Sequence, residues 1–147
     1  MTTQLKNYAK VFFITLPLLI AFDMSWVGVI AGQFYDTYLG HLLAETYNVY
    51  AIIVFYLFYT IAVLYFAVLP ALRQNSFVTA FIQGSALGFV CYTFYDLTNM
   101  ATLTDWPLFV TVLDIAWGTI MTACVASLTY ILATKLYGVN GESTPTP

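Results

Sequence analysis

In 147 residues there is room for one domain, and 61% of them are hydrophobic while only 7% are charged. A water-facing surface takes about 25% charged residues, so the composition excludes an ordinary soluble domain. The formal charge of −3 rests on four basic and seven acidic side chains, which leaves no basic patch for nucleic acid.

A spanning helix needs roughly 20 mostly apolar residues, and four runs qualify. The first, residues 11–31, carries Asp23 and Trp26 and leads into Gly28-x-x-x-Gly32, which closes one residue beyond it. Asp23 and Trp26 interrupt it too early for a cleaved signal sequence. The second, 47–69, is crowded with Tyr and Phe, has no carboxylate and is expected to stop at Pro70, since proline cannot continue a helix. The third, 77–97, carries Gly84-x-x-x-Gly88 and Asp96. The fourth, 107–137, follows a Thr104-Asp105 pair suited to capping and is longer than one crossing requires. Residues 1–137 form the four-helix domain, and the polar stretch 138–147 reads as a disordered tail.

Basic residues set orientation. Lys6, Lys10, Arg73 and Lys135 all fall on one side of a four-crossing chain, and the other side carries only Asp36, His41, Glu45 and Asp105. Both termini are therefore expected in the cytoplasm, and the membrane to be a bacterial inner one. Cys91 and Cys124 lie at depths differing by roughly 15 Å, too far apart for a disulfide.

The two small-residue motifs, with Ala116, Gly118, Ala123, Ala126 and Ser127 of the fourth helix, predict a tight centre of helices 1, 3 and 4. Helix 2 is expected at the periphery and least involved in any polar centre. A shift of 60 residues places Phe34-Tyr35-Asp36 on Phe94-Tyr95-Asp96, Ser25 on Ser85, Gly28 on Gly88 and Leu43 on Leu103. That pattern raises the prospect of two duplicated hairpins within an all-α polytopic bundle.

The informative residues are three carboxylates in hydrophobic runs: Asp23, Asp96 and Asp114. Each costs at least about 2.5–3.5 kcal/mol at a helix centre, so each needs a partner or a purpose. By helical rise, Asp23 and Asp114 both lie roughly 12 Å below the outer ends of their helices, so they are expected to approach one another, or to share a bound water or ligand, in the outer half of the bundle. Asp96 is expected near the outer mouth of helix 3. Trp26 follows Asp23 by three residues and Trp117 follows Asp114 by three, which puts each pair on one helix face. Gly88, Tyr92, Tyr95, Asp96 and Asn99 form a stripe on helix 3. The candidate ligand-binding set is thus Asp23, Trp26, Tyr92, Tyr95, Asp96, Asn99, Asp114 and Trp117. His41 reads as an interfacial loop residue. No Cys/His cluster points to a metal, and no motif points to a cofactor or a catalytic nucleophile.

In Asp23-Met-Ser-Trp26-Val-Gly28, Leu39-Gly40-His41, Val68-Leu-Pro70-Ala71, Tyr95-Asp-Leu-Thr-Asn99-Met-Ala-Thr-Leu103, Trp106-Pro107-Leu108 and Asp114-Ile-Ala-Trp117-Gly118-Thr119 the chain resembles a family of small bacterial membrane proteins known as a domain of unknown function. The resemblance runs from helix 1 to the end of helix 4. It implies a four-helix inner-membrane protein and brings no activity with it. From the residues, three functions compete. The first is an intramembrane site for a lipid-like or other amphiphilic molecule, with acids available for proton transfer. The second is proton-coupled transport of small cations, in which a homo-oligomer would build the pathway. The third is an accessory subunit docking on a larger membrane complex.

Overall fold

The computed structural model describes residues 3–138, so all of the expected tail except Gly138 lies outside the described residues. Helix α1 (Thr3–Ser25) runs on through a π-helical segment, Trp26–Ile30, and meets a short helix α2 (Gly32–Leu39). A 3₁₀ turn, Gly40–Leu42, leads to α3 (Val49–Val63), which continues through a second π segment, Leu64–Val68, into α4 (Leu69–Gln74). Two long helices follow, α5 (Phe77–Thr102) and α6 (Leu108–Tyr137). The spans are Asn7–Val29, Val49–Gln74, Phe77–Thr102 and Leu108–Tyr137, each long and apolar enough to cross a membrane. No strand occurs among the described residues. The all-α, four-span architecture expected from the sequence is the one observed.

Local chemistry explains the element ends. Asn48 caps α3 by accepting the Ala51 N–H at 3.1 Å, and Ser76 caps α5 by accepting the Thr79 N–H at 3.1 Å. Thr104 and Asp105 cap nothing. Pro107 occupies the N-cap of α6 without a side-chain bond, while Trp106 Nε1 donates to Thr111 Oγ1 at 3.0 Å and ties the connection to the helix. Pro70 does not stop the second span. The Leu69 N–H reaches back five residues to the Leu64 carbonyl, and this wider turn accommodates a ring that would otherwise crowd the preceding turn. The helix ends at Asn75, whose φ of 49° is left-handed.

The dominant contact joins α5 to α6, and α1 also packs on α6. The second span closes the bundle, with α3 against α1 and Leu64–Val68 against α5. The first and third spans therefore face each other diagonally rather than packing. Helix α6 is the innermost element, with a buried stripe from Val110 to Ala133. Helix 2 is a full wall of the bundle, which corrects its expected peripheral place. It still turns Tyr50, Phe58, Tyr65 and Phe66 outward, as a lipid-facing surface requires.

The glycine motifs behave unequally. A Cβ on Gly84 would lie 2.9 Å from both Ala126 Cβ and the Thr122 carbonyl oxygen, and one on Gly88 would run into the Gly118 carbonyl. These glycines set the close approach of α5 to α6. Gly28 has nothing within 4 Å of its Cβ position, and Gly32 meets only the Val27 carbonyl of its own turn. The helix 1 motif is thus not a packing face, because it falls where the helix loosens into the π segment. The 60-residue correspondence is likewise not mirrored in packing. Gly28 is open where Gly88 is enclosed, and Asp36 is exposed where Asp96 is buried.

Apolar packing fills the middle and the end of the bundle nearer the termini, around Val11, Leu19, Val63, Val68, Met121 and Val125. At that end Lys10 Nζ lies 4.9 Å from the centre of the Tyr137 ring. The three carboxylates Asp23, Asp96 and Asp114 collect in the opposite half, toward the 40–48 and 103–107 connections, while buried hydroxyls such as Thr15, Thr60 and Thr129 are spread along the bundle.

Candidate functional site

Each acid has its own environment. Asp23 is half-buried on α1, and its Oδ2 accepts the Tyr56 hydroxyl of α3 at 2.6 Å. Asp114 is buried on α6, and its Oδ1 accepts the Tyr35 hydroxyl of α2. Each carboxylate thus takes a phenolic donor, which satisfies it without confronting it with a second negative charge.

The Tyr35 hydroxyl is also the acceptor for Trp26 Nε1 at 2.9 Å, so a relay runs Trp26 to Tyr35 to Asp114. Burial, reinforced by the bond to Asp114, raises the Tyr35 hydroxyl far above the usual phenol range. It therefore stays protonated and keeps donating. The relay depends on the backbone after Ser25. The π segment, closed by the Ala31 N–H on the Trp26 carbonyl, shifts the angular register between α1 and α2, and Tyr35, nine residues after Trp26, meets that tryptophan. The two tryptophans stack with centroids 4.5 Å apart and planes 9° apart, which bonds α1 to α6 at the level of the acids.

Asp96 is fully buried on α5, and neither carboxylate oxygen has a hydrogen-bond partner among the described residues. It lies within electrostatic reach of Asp114 and Tyr35. Trp117 Nε1 is also buried without a partner among the described residues, so that donor and those acceptors do not satisfy each other. Tyr95 is 60% exposed and sets its ring edge-on to Trp106, with centroids 6.2 Å apart. Asn99 is half-buried one turn beyond Asp96.

Tyr92 joins the parts. Its ring packs directly on Gly118, where a Cβ would collide with it. It stands within electrostatic reach of Asp23, Tyr59, Tyr35 and Asp114. Its neighbours Phe55, Tyr59, Cys91 and Tyr95 enclose with it a groove of about 270 Å³ between the second and third spans. Tyr59 in turn shares a 2.7 Å hydrogen bond with Thr122. Helix 2 thus supplies Tyr56 and Tyr59 to the polar half, which corrects the expectation that it contributes least. Cys91 and Cys124 are free thiols, as their depths required. His41 is exposed in the 3₁₀ turn.

Tyr35, Tyr56, Tyr59 and Thr122 were not in the sequence-derived set. Depth counting finds Tyr56, which stands seven residues into its span, roughly 10 Å deep and close to the level of Asp23. Nothing in the spacing finds Tyr35, because its position follows from a π segment rather than from a regular helical period.

The fold and this site define a class: a polytopic all-α membrane protein with a tyrosine-bound acidic centre inside one half of its bundle. The chain belongs to the family described as predicted membrane protein (DUF2177), whose model matches residues 8–131. No curated protein and no solved structure matches the chain.

Proposed function

We propose that this protein holds a lipid-like or other amphiphilic molecule within the membrane. The polar end of that molecule would sit at the Asp23, Asp96 and Asp114 centre, and its apolar part in the aromatic groove. The observation that carries this reading is the groove itself. Its walls are four aromatic rings and one thiol, contributed by the second and third spans. A volume of about 270 Å³ suits one hydrocarbon chain rather than a bulky solute. The family supports a membrane protein and assigns no ligand.

Proton-coupled transport of a small cation is the second reading, and the unpartnered Asp96 favours it, since such an acid can exchange a proton for a cation. An accessory-subunit role has no comparable observation behind it. For either reading, the one-sided placement of Lys6, Lys10, Arg73 and Lys135 supports cytoplasmic termini in a bacterial inner membrane.

The test is extraction into native nanodiscs followed by mass spectrometry of bound molecules, comparing wild type with Cys91→Trp, which fills the groove. A near-stoichiometric amphiphile present in wild type and lost in the variant is expected. Identical contents in both would overturn the proposal.

A further inference from the structure

The register between α5 and α6 can be followed turn by turn. Gly84 meets Thr122 and Ala126, Gly88 meets Gly118 and Thr122, and the Tyr92 ring meets Gly118. One turn further along each of these antiparallel helices stand Asp96 and Asp114. Both carboxylates thus belong to one level of the most extensive helix pair in the bundle.

The two are provided for differently. Asp114 Oδ1 accepts the Tyr35 hydroxyl, a donor suited to a carboxylate. Asp96 is fully enclosed, and neither of its oxygens accepts a hydrogen bond from a described residue. Thr93 Oγ1, three residues before it on α5, and Trp117 Nε1, three residues after Asp114 on α6, are buried donors that stay unspent among the described residues. Of the described basic residues, Lys10 lies over the Tyr137 ring, while Arg73 and Lys135 occupy the last turns of α4 and α6. All three are therefore at the opposite end of the bundle.

Such surroundings suit one protonation state of Asp96. An ionised carboxylate enclosed without a donor or a counter-charge carries a desolvation penalty that nothing around it offsets, and a group so placed takes up a proton instead. A second negative charge on the level of Asp114 would add to that penalty. Protonation removes both costs and turns an acceptor-only group into one with an O–H to donate.

We infer that Asp96 is a proton-binding site within the membrane, a neutral carboxylic acid at neutral pH whose O–H is available for proton transfer. Its ligand is the proton itself, and the chemistry open to it is that of a general acid. The inference goes beyond the amphiphile reading and does not depend on the groove.

The experiment is infrared spectroscopy of the full chain in nanodiscs at neutral pH. One sample carries natural aspartate, and the other carries aspartate with a heavy carbon isotope in the side-chain carboxyl. The difference spectrum cancels lipid and backbone carbonyls and leaves the aspartates. Wild type is expected to show the carbonyl stretch of a protonated carboxyl, apart from the carboxylate bands. Asp96→Asn is expected to abolish a band that Asp23→Asn keeps. Its unfolding midpoint should stay close to wild type, because the amide replaces a neutral acid of nearly the same shape. No protonated-carboxyl band in wild type overturns the inference, and so does an unchanged band in a folded Asp96→Asn variant. If that variant does not fold, Asp96→Glu decides. Its band is expected to stop responding to the aspartate isotope, and an undiminished response overturns the assignment to Asp96.

Discussion

The Tyr35 hydroxyl is the most connected polar atom in the site, accepting from Trp26 and donating to Asp114. Tyr35→Phe removes both bonds and strands a buried carboxylate, at a cost of about 1–3 kcal/mol. Thermal unfolding in detergent should show a clear drop in midpoint. Tyr38→Phe serves as the comparison, because Tyr38 packs on Phe109 through its ring alone, centroids 4.7 Å apart, and its midpoint should not move. Equal midpoints for the two variants would show that the relay is not holding α2 in place. The Asp23–Tyr56 bond lends itself to a double-mutant cycle. Tyr56→Phe should destabilise, and adding Asp23→Asn should recover part of the loss, with a coupling on the order of 0.5–3 kcal/mol. Strict additivity would mean that the 2.6 Å contact contributes nothing net.

At the scale of elements, the α5–α6 pairing is the part of the bundle most sensitive to side-chain volume. Gly88→Ala would drive a methyl group into the Gly118 carbonyl and to 2.8 Å from Thr122 Oγ1. Both neighbours belong to the innermost helix and have little room to yield. The expected cost is about 1–3 kcal/mol, measured as reduced resistance to unfolding by dodecyl sulfate. Gly28→Ala, at the same motif position in the first span, meets open space. It should be neutral or slightly stabilising, since alanine is the better helix former. If Gly28→Ala proves the more damaging of the two, the first span packs in a way this structure does not have. Pro70 carries a related lesson. The proline itself is plain in the sequence, yet it ends nothing, because the Leu64–Val68 segment widens to accept it. A proline reads as a stop only while the turn before it is assumed regular.

For the whole molecule, the topology is the prediction with the widest reach. A reporter active only in the cytoplasm, fused after Pro147, should give signal, and one placed in the 40–48 connection should not. The opposite pattern would sink the orientation, and with it the assignment of the acidic centre to the outer half. Cys91 on α5 and Cys124 on α6 lie at different levels, so thiol labelling in denaturant should count two free sulfhydryls without reductant.

The number of spans, their approximate ends, the depth of the acids and the separation of the thiols were all determined by the sequence alone. They depend on length, hydropathy and a constant rise per residue, and these are local quantities. The Gly84/Gly88 face was legible for the same reason, since a four-residue spacing in a regular helix leaves a smooth strip whatever packs on it. Only the tertiary structure decided which partner each acid takes. Asp23 and Asp114 stand at matching depths, yet depth says nothing about azimuth around the bundle, and each found a tyrosine from an element not suspected of a role. The diagonal placement of the first and third spans, which empties the Gly28 motif of meaning, follows from the same ignorance of azimuth. Tyr35 was out of reach for a sharper reason: the π segment that closes at Ala31 resets the angular count, so no periodic reading that starts at Trp26 arrives at the residue that binds it.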